Sequence, residues 1–122
     1  MFSISKKKIW IAGHNGMVGS AIVRRLESED CKILKVTRKE LNLLDQYSTK
    51  SWMEKNKPDI IILAAAKVGG IKYNMLNKSS FLYENLMIQN NVIFLASQLN
   101  VEKLVFIGSS CIYPKDASQP II

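Results

Sequence analysis

Residues 8–19, KIWIAGHNGMVG, run from an apolar, β-branched stretch straight into a loop in which Gly13, Gly16 and Gly19 recur at every third position. Downstream, Val18, Ala21, Ile22 and Leu26 fall at helical spacing while Arg24, Arg25 and Glu27 face outward, which predicts an amphipathic helix directly after the loop. A buried strand that reaches a helix through glycines serves three needs. They are a tight turn, close packing of helix on strand, and bare backbone against which a pyrophosphate can lie. The helix start adds unpaired N–H groups and the positive end of its dipole. Glycine also serves ordinary turns at such junctions, so the flanking strand and helix are what favour a nucleotide loop.

The rest of the chain repeats the alternation. CKILKV predicts a second strand, and Asp45 is placed to cap a helix through QYSTKSWMEKN, which Lys57-Pro58 should end. DIIILAAA is a near-continuous apolar run of the kind covered on both faces of a sheet. From about Ser79 to Leu99 a long helix is expected, with Leu82, Leu86, Ile93 and Ala96 marking its apolar face, and KLVFIGSS supplies the last strand. Strands joined by helices define an α/β, Rossmann-like, doubly wound parallel sheet, here stopping after about four strands and occupying residues 1–122 as one domain. The expected strand order is 3-2-1-4-5-6, with KLVFIG left at an open edge.

Composition narrows the function. Of the 122 residues 48% are hydrophobic and 22% charged, ordinary for a globular domain, and the net charge of +7 comes from lysines scattered over predicted loops and helix faces. A basic nucleic-acid-binding domain is therefore the weakest of the readings kept. Two distant cysteines, Cys31 and Cys111, and a single histidine argue against a structural zinc site. With no secretory or membrane-spanning apolar run, the expectation is a cytoplasmic protein with reduced thiols and no membrane partner.

The glycine spacing is G-x-x-G-x-x-G, and the acidic residue expected about 20 residues further on, for a ribose hydroxyl, is missing. At the end of the second strand stand Thr37, Arg38 and Lys39. A guanidinium there suits a 2′-phosphate, favouring NADP over NAD, although a solvated loop arginine would look the same. His14, inside the loop, is either a cofactor-covering residue or a base; no G-x-S-x-G elbow or second histidine supports a hydrolase.

Taken together, IAGHNGMVGSAI, LNLLD, LAAAKVGGI and GSSCIYPK resemble the N-terminal part of the GDP-L-fucose synthase family of extended short-chain dehydrogenase/reductases, from about Lys8 onward. The resemblance implies NADP(H) as cofactor and a GDP-sugar substrate, GDP-4-keto-6-deoxy-D-mannose, epimerised at C3 and C5 and reduced at C4. By motif, Gly13, His14, Asn15, Gly16, Met17, Val18 and Gly19 would hold the pyrophosphate and Arg38 the 2′-phosphate. Ile107, Gly108, Ser109 and Ser110 would line the cofactor. Ser109 would hydrogen-bond the 4-keto oxygen and Cys111 exchange protons at the epimerised carbons. From the residues alone, the simpler reading is that the serines satisfy backbone groups and Cys111 is a small buried hydrophobe. Asn15 stands where the family commonly has arginine.

The resemblance also implies a catalytic Tyr-x-x-x-Lys pair, a later histidine and a substrate domain, all expected beyond Gln119. Within the chain Tyr47, Tyr73, Tyr83 and Tyr113 are followed four residues on by Ser51, Asn77, Met87 and Ala117. Acid catalysis of this kind contributes roughly a hundred- to ten-thousand-fold, so the chain alone is expected to be nearly inert. The expected partners are a complementing chain or a second copy, since the long helix would belong, by the same resemblance, to a dimer-forming pair. A free-standing, non-catalytic NADP-binding module is the alternative.

Overall fold

A computed structural model describes residues 2–69, 76–109, 112–114 and 116–118. Along the chain run β1 (Lys8–Ala12), α1 (Met17–Leu26), β2 (Lys32–Leu34), α2 (Gln46–Asn56), β3 (Ile60–Leu63), α3 (Lys78–Gln98) and β4 (Lys103–Phe106). The four strands form one parallel sheet in the order β2-β1-β3-β4. This corrects the expected order: the third strand crosses to the far side of β1 and does not extend the sheet beyond β2. The sequence IIIL explains the placement, because a strand apolar on both faces belongs in the interior of a sheet covered by helices. The shorter, half-exposed β2 takes one edge, and β4 takes the other as expected.

Period-two alternation divides the core into two layers. Ile9 and Ile11 of β1 and Ile60 of β3 pack with Val23 of α1, joined by Ile22, Leu26 and Ile33. On the opposite face Trp10, Ala12, Ile61 and Leu63 pack with Met53 of α2 and with Val92, Leu95 and Ala96 of α3. The register Ile9↔Ile60 through Ala12↔Leu63 keeps like-facing residues side by side. At the sheet's N-terminal edge Asp59 exchanges two hydrogen bonds with Lys8: its carboxylate accepts from Lys8 N at 2.7 Å and its own N–H donates to Lys8 O at 2.9 Å.

The helices begin and end for local reasons. Asp45 caps α2 by accepting from the amides of Tyr47 and Ser48, at 3.0 and 3.3 Å. Lys57 closes that helix as expected before Pro58, in the left-handed region (φ 49°). The two amphipathic faces are rotated from expectation. In α1 the inward positions are Gly19, Ile22, Val23 and Leu26, leaving Val18 and Ala21 exposed. In α3 the buried residues are Asn91, Val92, Leu95 and Ala96, whereas Leu82, Leu86 and Ile93 are exposed. Apolar residues surround α3 without forming one stripe, so periodicity could not select its inner face.

Truncating the buried Met53 (Met53→Ala) is expected to cost about 2–5 kcal/mol in chemical denaturation, because transfer and cavity penalties add. Asp45 offers a pH-resolved test. The Ser48 hydroxyl, then the Ser48 and Tyr47 amides, hold its carboxyl below the usual aspartate value. Its stabilisation is therefore complete above the unfolded-state value and is lost as pH falls through the folded one. The stability gap between the native chain and Asp45→Ala should be full at pH 7 and close progressively below about pH 5.

Candidate functional site

β1 and β3 end side by side, and Ala64 N donates to Ala12 O at 2.9 Å, so the turn after β1 lies against the backbone after β3. Gly13 makes that turn at φ +91°, where a Cβ would sit 2.7 Å from Ala65 N and 2.8 Å from Ala64 O. Six residues later a Cβ on Gly19 would sit 2.1 Å from Gly13 O. Both positions need glycine for close approach, and Gly19 brings the first turn of α1 directly onto the loop. Gly16 caps the helix with no side chain turned back to its amides, and the first turn carries no acidic residue. The helix start therefore keeps its donors for an external anion.

In front of these amides opens a cavity of about 410 Å³. The residues Gly13 to Val18 form one rim. Val36, Leu41, Leu43, Ala64 to Ala66 and Ile88 supply apolar wall, with the buried Trp10 behind them. Trp10 leans on Trp52, ring centroids 4.6 Å apart. The Leu41–Leu44 wall is held from α3, where buried Asn91 donates through Nδ2 to Leu43 O at 2.8 Å. A glycine cradle that a Cβ would fill, open helix amides and an apolar slot of this size fit a dinucleotide.

Arg38 reaches the same cavity on a tight turn built by its neighbours. The Glu40 carboxylate accepts from Thr37 Oγ1 at 2.7 Å and Thr37 N at 3.0 Å, while Leu41 N donates back to Thr37 O at 2.9 Å. The Thr37 hydroxyl, then its amide, hold the Glu40 carboxyl below its ordinary range, with a smaller contribution from His14. Arg38 itself is 75% exposed and pairs at 3.7 Å with Glu84 of α3. Glu84 in turn accepts from Lys67 Nζ at 2.5 Å and from Ser80 Oγ at 3.2 Å. The Lys67 ammonium, then Ser80 and Arg38, keep the Glu84 carboxyl below its usual value, so it is charged at neutral pH. Lys67 is fastened to α3 twice more, its N–H donating to Asn85 Oδ1 at 2.7 Å and its carbonyl accepting from Asn85 Nδ2 at 3.0 Å.

The cavity thus gathers Gly13, His14, Asn15, Gly16, Met17, Val18 and Arg38, with Gly19 beneath them. Ile107 is tied to β3 by its N–H to Leu63 O at 3.1 Å, but it, Gly108 and Ser109 are exposed beyond β4 and do not line this cavity. Ser110 and Cys111 lie outside the described residues. Reasoning from sequence missed Lys67 and Glu84. LNLLD and LAAAKVGGI stood out as motifs without an assigned contact, and nothing in α3 distinguished Glu84 from a solvated acid. Among the described residues no cluster of His, Cys, Asp or Glu could hold a metal ion, and no helix is long and apolar enough to cross a membrane.

Fold and cavity together define a Rossmann-like dinucleotide-binding domain. Residues 9–122 match the NAD dependent epimerase/dehydratase family, and the chain belongs to that family. It is 50% identical over 121 residues to a GDP-L-fucose synthase of Sinorhizobium fredii, covering 99% of this chain and 38% of that one. A GDP-L-fucose synthase of Escherichia coli is also 50% identical, over 119 residues, 97% of this chain and 37% of its own length. Among solved structures, a GDP-mannoheptose C4 reductase from Campylobacter jejuni with NADP bound superposes with a TM-score of 0.89 at 38% identity, covering 100% of this chain and 36% of that chain. The chain spans less than two fifths of the length of these relatives.

Two glycine substitutions separate packing from open space. Gly19→Ala is expected to destabilise the domain by at least about 2 kcal/mol, because its Cβ meets backbone that cannot swing aside. Gly108→Ala, with nothing within 4 Å of the added Cβ, should stay within about 0.5 kcal/mol of the native chain. Denaturant titration of the two variants checks the contrast.

Proposed function

We propose that the chain is the cofactor-binding, N-terminal part of an NADP-dependent GDP-4-keto-6-deoxy-D-mannose 3,5-epimerase/4-reductase. The observation that carries the cofactor assignment is the juxtaposition of open α1 amides with Arg38 across one cavity. The 50% identity to two GDP-L-fucose synthases, over less than two fifths of their length, supports the substrate. NADP is also the cofactor bound in the Campylobacter reductase.

In this reading Gly13 to Gly19 take the pyrophosphate on backbone N–H groups, and Arg38 pairs with the 2′-phosphate. The apolar wall of Val36, Leu41 and Leu43 excludes water from the purine. When bound, the dinucleotide supplies hydride to the C4 carbon of the sugar. Ser109 would donate to the 4-keto oxygen as charge develops there, and Cys111 would exchange protons at C3 and C5. No tyrosine in the 122 residues has a lysine four positions on. In this reading the proton for the C4 oxygen belongs to the family's Tyr-x-x-x-Lys pair, which these residues do not contain, and the chain by itself should not turn over. Exposed Leu82, Tyr83, Leu86 and Phe94 on α3 support association with a second copy or a complementing chain.

Calorimetric titration of the chain with NADPH and NADH tests the assignment. NADPH is expected to bind more tightly, and Arg38→Ala should weaken NADPH by about ten- to a hundredfold, as for loss of a charge-assisted phosphate contact, with little effect on NADH. An equal loss for both nucleotides would remove the 2′-phosphate role. Salt-sensitive binding of duplex DNA without nucleotide binding would point to a polyanion-binding domain instead. Conversion of the keto sugar by the chain with NADPH alone would overturn its predicted inertness.

A further inference from the structure

The position after β2 that carries an acid in NAD-selective sites holds Thr37, Arg38 and Lys39 here, yet the cavity is not without a carboxylate. Glu84 arrives from α3, its side chain only 18% exposed, and stands 3.7 Å from the Arg38 guanidinium. It does not hang loosely. Lys67 Nζ and Ser80 Oγ grip it at 2.5 and 3.2 Å, and Lys67 is itself locked to Asn85. The acid is therefore held in place, and Arg38, mostly in solvent, is the more exposed partner of the pair.

We propose that Glu84 is a specificity-determining residue that limits the site's preference for NADP over NAD, by holding Arg38 in an ion pair that a 2′-phosphate has to break. The inference rests on the cofactor assignment made above. A phosphate monoester near neutral pH carries between one and two negative charges. Glu84 competes with it for the guanidinium. NADH carries no such group. Its 2′-hydroxyl can donate to a carboxylate, as to the acid at the end of the second strand in NAD-selective sites. One carboxylate thus weakens one nucleotide and leaves the other unharmed. Selectivity arises in this way when an unfavourable contact opposes the wrong ligand as much as a good contact favours the right one. The consequence is a site with moderate, adjustable discrimination.

Calorimetry with NADPH and NADH on the native chain, Glu84→Gln, Arg38→Ala and the double variant decides the matter. Glutamine keeps the shape and can still accept from Lys67, but it has no charge. Glu84→Gln is expected to tighten NADPH about three- to tenfold while NADH holds or weakens, so the ratio of the two affinities rises. In the Arg38→Ala background the same substitution should move the ratio less than twofold. A ratio unmoved by Glu84→Gln, in a chain with native circular dichroism and with Arg38→Ala still lowering NADPH affinity selectively, overturns the role of Glu84 and leaves the cofactor assignment standing. An undiminished effect of Glu84→Gln without Arg38 transfers the role to the released Lys67 and also overturns the proposal. Failure of Arg38→Ala to act selectively, or of the native chain to bind either nucleotide, overturns the assignment and this inference together. If Glu84→Gln does not fold, Glu84→Asp, which shortens the reach to Arg38 but keeps the charge, should raise the ratio by a smaller factor, and no rise overturns the proposal.

Discussion

The approach of Gly19 to the carbonyl of Gly13, where a Cβ would lie at 2.1 Å, is the constraint on which the site depends. It seats the first turn of α1 against the end of β1 and fixes the direction in which the helix amides point. Gly13 adds the second half of the arrangement, since its positive φ lets the turn lie on the backbone of Ala64 and Ala65. Three segments, the ends of β1 and β3 and the start of α1, are thereby held at van der Waals distance. The floor of the cavity is backbone, which is what an anion with many acceptor oxygens requires.

Around that floor the two-layered core divides the work. The α1 face, built on Ile9, Ile11, Ile60 and Val23, supports the glycine loop from below. The opposite face carries Trp10, Leu41, Met53 and Val92, and its outer members become the cavity wall. Asn91 and Asn85 extend this support through polar contacts. One anchors the backbone at Leu43 and the other clamps Lys67, so two loops that line the cavity are both fixed by α3. The charges then occupy a frame already set by packing: Arg38 on a turn closed by Thr37 and Glu40, and Glu84 on the helix.

Much of this was legible in the chain itself. Strands β1 and β3 announce themselves as apolar runs, Asp45 as a cap, and the glycine triplet as a turn that must meet a helix. The residues from Gly13 to Val18 and Arg38 line one cavity, with Gly19 packed beneath the loop. Less was legible where the chemistry is ambiguous. α3 is apolar around its circumference, so Leu82, Leu86 and Ile93 carried the same signal as the buried Val92 and Leu95. Val18 was expected to face inward because it is apolar, but the inward face is set by Gly19, which has no hydrophobic signal at all.

Sequence by itself determined the local events: where chain direction reverses, which residues can occupy a positive φ, which strands want cover on both faces. These depend on backbone sterics and on transfer of apolar groups from water, properties that a residue and its near neighbours carry with them. The tertiary structure alone decided the order β2-β1-β3-β4, the inward face of α3 and the meeting of Arg38 with Glu84. Strand register and charge pairing arise between segments far apart in the chain. A glutamate on a long helix is indistinguishable from any solvated acid until packing sets it 3.7 Å from an arginine.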